Sequence, residues 1–315
     1  MLNPETSTQK QAWQPPQWLK PQLYPFTHRF CEIDGHRIHY LDEGEGEVIL
    51  FLHGNPAWSF LFRKVVPLLS GHYRCVALDY PGFGLSTAKP GYDFLPESHA
   101  AVVAAFIENH GLANVTLAVS DWGGPIGLSV AAAKPESAVR LVIGNTFAWP
   151  VNDDPHFVRF SRFFGGPLGR FLVRHLNLFV NALIPAGVRK AKLSADEMTA
   201  YRMPFPDAER RMPTHIFPRE ILGSQRFLAE LAKALPRLRD KPALLLWADK
   251  DIAFREKELN RFESIFARRT TERLTEAGHF LWEDEPEKIA AAIVAFVRAN
   301  PIDDKDAHVG VHRGR

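Results

Sequence analysis

The 315-residue sequence predicts an α/β protein: a mostly parallel eight-stranded sheet flanked by helices, with a helical cap inserted into it. Three observations carry that expectation. Short apolar runs alternate with stretches of helical spacing along most of the chain, the pattern of a sheet built from crossover units. The run at 115–119 passes through a turn of a few residues into a helix of small side chains. About ninety residues, 151–240, separate the sixth strand pattern from the seventh and crowd aromatics into what reads as helices.

Taken in order, residues 1–27 are rich in Gln and Pro and are expected to form an extended arm over the surface. Strand patterns follow at 29–33, 37–41, 48–52 and 74–78. Residues 96–109 read as a helix, with Ala100, Val103, Ala104 and Ile107 at helical spacing. The remaining strand patterns lie at 115–119, 140–144, 243–248 and 270–274, and a last helix spans 289–297. The core is thus expected over 28–150 and 241–300, the cap over 151–240, and a polar, disordered tail over 301–315.

Composition excludes several classes. A net charge of +2 gives no reason to expect nucleic acid. Two cysteines, Cys31 and Cys75, sit on or beside early strands, which suits a reducing cytosol rather than a disulfide framework. The start Met1-Leu2-Asn3-Pro4-Glu5 lacks a basic and apolar leader, and no apolar run reaches the ~20 residues of a membrane span. A cytoplasmic protein without a membrane partner is expected; oligomeric state is not legible. The Gly-rich stretch 79–86 lacks phosphate-loop spacing and reads as the loop after strand four.

The most informative segment is Val119-Ser120-Asp121-Trp122-Gly123-Gly124. A strand, a sharp Gly-assisted turn and a helix form the nucleophile elbow of α/β-hydrolases, which most often presents serine. Here it presents Asp121. A carboxylate suits attack on saturated carbon better than acyl transfer. Asp121 could instead merely cap the helix. Ser129 lies inside the helix with no strand before it, and Ser120 is flanked by bulky Trp122, so neither serine fits the turn.

Further segments complete the set. After the strand at 48–52, His53-Gly54-Asn55-Pro56 matches the loop whose backbone N–H supplies half of the oxyanion hole. Gly278-His279-Phe280 lies near the C-terminus, where the base belongs by chain order, and His279 alone of thirteen histidines sits in such a strand-to-helix loop. The strand at 243–248 is followed by Asp249 and Asp251. Both are candidates for the acid; the usual position, fourth after the residue aligned with Trp247, favours Asp251.

These motifs together resemble a haloalkane dehalogenase, over roughly residues 28–298. The resemblance extends to Gly144-Asn145-Thr146-Phe147, Tyr201-Arg202-Met203-Pro204-Phe205-Pro206 and Phe217-Pro218-Arg219-Glu220. Asn55 in the first loop with an acid after strand seven resembles the subfamily often numbered third; no carboxylate occurs between Asn145 and Trp149. One departure is Val119, where a glycine is usual two residues before the nucleophile.

The resemblance implies an alkyl halide as substrate, a halide ion as product, and no cofactor or metal. Asp121 would attack the carbon while the indole N–H of Trp122 and the side-chain amide of Asn55 receive the developing halide. His279 would then activate water to hydrolyse the alkyl ester, oriented by Asp251, with the backbone N–H groups of Asn55 and Trp122 holding the oxyanion. Phe147 and Trp149, at the hinge into the cap, are expected on the pocket wall. Most of Phe157, Phe160, Phe163, Phe164, Phe171 and Phe179 are expected to pack down onto the core, with some closing the cavity.

Rival readings share the scaffold. Epoxide hydrolases use two cap tyrosines, whereas residues 150–240 contain only Tyr201. The β-lactone decarboxylases of olefin synthesis resemble the same subfamily and are poorly separated by motif. A luciferase would normally carry its acid after strand six. A small-molecule receptor remains the non-enzyme alternative, although it gives no reason for an aspartate nucleophile beside two N–H donors.

Overall fold

The computed structural model describes residues 13–302. Its centre is one eight-stranded sheet of order β1-β2-β4-β3-β5-β6-β7-β8. The strands are β1 (Arg29–Ile33), β2 (His36–Glu43), β3 (Val48–Leu52), β4 (Arg74–Leu78), β5 (Val115–Ser120), β6 (Ala138–Gly144), β7 (Ala243–Ala248) and β8 (Arg269–Leu274). β2 runs antiparallel to β1 and β4, and the other five pairings are parallel. β3, β5 and β7 are buried at every position, which explains their apolar sequences, interrupted only by Thr116 and Ser120 in β5: both faces are covered by helices. β8, at the edge, buries only Leu274 of Arg-Thr-Thr-Glu-Arg-Leu.

The order of connection reverses where β4-β3 meets β5, and the carboxyl ends of β3 and β5 open a crevice there. Leu52 pairs with Val119, so the loop after β3 and the turn after β5 leave the sheet side by side. This places His53–Pro56 against Asp121.

Helices α1 (Pro96–Asn109) and α2 (Gly123–Ala133) pack together on one face, and α9 (Pro286–Ala299) closes the chain. The insert holds α3 (Pro155–Gly165), α4 (Pro167–Leu176), α5 (Ala195–Arg202), α6 (Met212–Gly223) and α7 (Gln225–Ala234); α8 (Glu256–Ile265) links β7 to β8. α3 and α4 lie on α6, while α7 returns to α2. Helix starts follow local chemistry. The Asp154 carboxylate accepts the N–H of His156, and Ser194 with Glu197 forms a capping box at α5.

A buried charge cluster joins cap to core. The Arg63 guanidinium pairs with Glu283 and with Glu197 beside it on α5, and the Tyr201 hydroxyl donates to Glu283. The expected surface arm is more deeply seated than its composition suggests. Leu19 and Tyr24 are buried, Tyr24 bonds Ser59 at 2.6 Å, and Trp18 meets Trp58 edge-on. Apolar area outweighs the Pro-rich backbone's lack of regular structure. The first twelve residues of the arm and residues 303–315 of the expected tail lie outside the described residues.

Candidate active site

Asp121 follows β5 with φ +49°, a left-handed conformation that costs free energy for a residue with a Cβ. The surrounding glycines make the turn possible. A Cβ at Gly54 would strike the Asp121 carboxylate, one at Gly123 the Leu52 carbonyl, and one at Gly124 the Thr146 side chain. Thr146 also donates its hydroxyl to the Asp121 carbonyl. The strain is thus held by contacts on both sides of the turn.

The Asp121 carboxylate accepts the backbone N–H of Asn55 on Oδ1 at 2.7 Å, and the backbone N–H of Trp122 also donates to it. Its Oδ2 stands 3.7 Å from Nε2 of His279. On the far side of the imidazole, Nδ1 lies 3.1 Å from Oδ2 of Asp251. Asp249 instead pairs with Arg273, so the tertiary structure separates the two acid candidates.

Burial pushes the Asp121 carboxyl above its ordinary range, against the opposing pull of His279 and the two N–H donors. Burial would lower the His279 pKa, but the Asp251 and Asp121 carboxylates override it and raise it to about 9. The two carboxylates thus favour the charged form of the imidazole that lies between them.

A cavity of about 90 Å³ opens over this group. Asn55, Trp122, Asp121 and His279 line its floor, with Phe147, Phe157, Phe160, Phe179 and Phe254 among the apolar walls. The Asn55 Nδ2 donates a long 3.3 Å bond to the Thr214 carbonyl, which leaves its second amide hydrogen available. Trp122 meets Phe147 edge-on at 5.1 Å and Phe217 at a tilt at 5.2 Å, and it lines the cavity.

One expectation is corrected. Phe147 lines the cavity, but Trp149 does not: its ring packs 4.8 Å from Phe262 of α8, beneath the Arg261 guanidinium. α8 offers an apolar surface that the hinge sequence cannot reveal. Phe163 and Phe171, expected mostly to pack inward, are exposed. Tyr201 is buried on Glu283 and does not line the cavity, so it presents no acid there.

Three contributors escaped the motif reading. Asn145, one residue past β6, donates Nδ2 to Oδ2 of Asp251 and accepts the Ala248 N–H. Its signal was its position at a strand end beside the acid. Asp284 gathers the N–H groups of Arg189, Lys190, Ala191 and Gly278, fastening the His279 loop to the middle of the cap. His156 lines the cavity wall at the start of α3. Neither Asp284 nor His156 carried a sequence signal. Among the described residues, no group of three or more His, Cys, Asp or Glu is arranged to hold a metal ion.

Fold and site together define an enzyme of the α/β-hydrolase class with a carboxylate at the elbow; residues 47–286 match the alpha/beta hydrolase fold family. Over 276 residues the chain is 41% identical to haloalkane dehalogenase 2 of Mycobacterium tuberculosis, covering 87% of this chain and 96% of that one. The crystal structure of the haloalkane dehalogenase DbeA from Bradyrhizobium elkani superposes with a TM-score of 0.80 at 28% identity, covering 87% of this chain and 98% of the other. The chain belongs to the haloalkane dehalogenase family, whose reaction is hydrolytic dehalogenation. It is also 33% identical to a cis-3-alkyl-4-alkyloxetan-2-one decarboxylase of Xanthomonas campestris, covering 89% of this chain and 98% of the relative.

Proposed function

We propose that this enzyme hydrolyses haloalkanes through an alkyl ester of Asp121. One observation supports the reading above all. One oxygen of the Asp121 carboxylate is held by the Asn55 N–H while the other faces His279, beneath an apolar cavity floored by an indole and an amide. Oδ2 attacks the halogen-bearing carbon, forming a C–O bond as the carbon–halogen pair leaves on the halide. The Trp122 N–H and the second Asn55 amide hydrogen stabilise charge that appears only as the halide departs.

Alkylation removes the charge of Asp121 and with it one of the two carboxylates that raise His279. The imidazole can then lose its proton and act as a base toward water. Hydroxide adds to the ester carbonyl carbon, whose oxygen already sits against the Asn55 and Trp122 N–H groups. Collapse releases the alcohol, regenerates the carboxylate and sends one proton to solvent through His279. Asp251 fixes the tautomer and steadies the imidazolium.

The test is trapping. His279→Gln mixed with a bromoalkane should gain the mass of the alkyl group, mapped to Asp121. Absence of that adduct, with wild-type turnover intact, would overturn the mechanism. The similarity to a β-lactone decarboxylase favours one second reading, in which the same carboxylate opens a cis-β-lactone. Halide release from bromoalkanes measured beside turnover of a cis-β-lactone decides between them. An epoxide run in parallel should stay intact, since no tyrosine lines the cavity. We place the enzyme in the cytoplasm; among the described residues no helix is long and apolar enough to cross a membrane.

A further inference from the structure

Seven large apolar side chains stand exposed among the described residues, and four of them, Phe163, Leu168, Phe171 and Leu176, lie on α3 and α4. Their exposures run from 46% to 60%. On α4, positions 168, 171, 172, 175 and 176 share one helical face, while Gly169 and Val173 turn inward. Residues 155–176 contain four arginines and two histidines but no acid. Arg159, Arg162 and Arg170 are exposed and have no ion-pair partner among the described residues.

The patch connects with the cavity through a file of rings. Phe163 lies 4.9 Å from Phe164, which lies 4.7 Å from Phe160 and 5.2 Å from Phe179. Phe160 and Phe179 line the cavity. An apolar face flanked by unpaired arginines has the composition of a helix that lies in a bilayer interface. An isologous contact with a second copy is disfavoured, because it would bring the same unpaired arginines together with no acid on either helix to receive them.

We propose that the α3–α4 face of the cap docks on an anionic lipid surface. Phe163, Leu168, Phe171 and Leu176 enter the acyl boundary and Arg159, Arg162 and Arg170 meet headgroup phosphates. Apolar molecules dissolved in the bilayer then reach the cavity along Phe163, Phe164 and Phe160. The attachment is peripheral, and it departs from the sequence expectation of no membrane partner. It does not depend on the chemistry at Asp121.

The test is flotation of the full chain with phosphatidylcholine vesicles containing phosphatidylglycerol, beside pure phosphatidylcholine vesicles. The protein should float with the anionic vesicles and be released by salt. Replacing Arg159, Arg162 and Arg170 together by Ser should weaken partition roughly 10²-fold, at about five-fold per arginine near an anionic surface. The Phe171→Ser/Leu176→Ser variant should lose binding while unfolding at the wild-type temperature. No flotation, equal flotation on both vesicles, or flotation indifferent to both variants would each overturn the proposal. So would self-association in solution that Phe171→Ser/Leu176→Ser abolishes, which would assign this face to a second copy.

Discussion

Asn145 donates its side-chain N–H to Oδ2 of Asp251 at 2.6 Å, the same oxygen that faces Nδ1 of His279 at 3.1 Å. The other Asp251 oxygen accepts the Ala253 N–H at 2.7 Å. Asp251 is thus oriented from three sides, and Asn145 reaches it from the end of the neighbouring strand. Removing that amide should leave the carboxylate in place but free to turn. Asn145→Ala is expected to slow the hydrolytic half-reaction by about 10- to 100-fold, the range of a hydrogen bond to a charged group. Rapid-quench kinetics should show the alkyl ester accumulating while its formation is little changed.

The two halide donors should act almost entirely on the first step. Asn55→Ala and Trp122→Phe are each expected to cost roughly 10²-fold in turnover, as removal of one preorganised donor does. Chloride as leaving group should suffer more than iodide, because it carries a more concentrated charge. Unchanged rates in both variants would place the leaving group elsewhere.

His279 makes stability depend on pH in a defined direction. Its pKa is raised to about 9 in the folded protein from an ordinary 6.5, so the folded state binds the proton more tightly. The resulting stabilisation is complete below pH 6.5 and is lost as pH rises through about 9. Thermal unfolding should therefore show wild type losing stability across that window, while His279→Phe shows a flatter profile. Identical profiles would mean that the imidazole is not held between the carboxylates.

Asp284 is a fastening with no chemistry of its own. Its carboxylate accepts four backbone N–H groups, three from residues 189–191 and one from Gly278. Asp284→Ala would leave those donors without their acceptor and should destabilise the fold by about 3 kcal/mol. Denaturant unfolding measures this directly. A variant of unaltered stability would show that solvent replaces the carboxylate without loss.

Much of this protein was legible along the chain because the determining interactions are local. Fully buried strands read as apolar runs, and all eight expected strands are present, with ends shifted by one or two residues where hydrogen bonding continues past the apolar core, as at His36 and Glu43. The elbow was legible for a similar reason: a positive φ and close backbone packing demand glycines at fixed offsets from Asp121. Chain order placed His279 at a strand-to-helix loop.

What the linear sequence could not decide were contacts between distant segments. Asp249 and Asp251 differ by two residues, and only the placement of Arg273 and His279 around them sorts pairing from orientation. Phe147 and Trp149 are equally apolar, yet one faces the cavity and the other α8, because the hinge backbone alternates between two apolar surfaces. The sequence by itself determined the sheet, the elbow and the chemical types at the site. The tertiary structure alone decided which apolar rings close the cavity and which stay at the surface, since burial depends on what the folded chain brings opposite each ring.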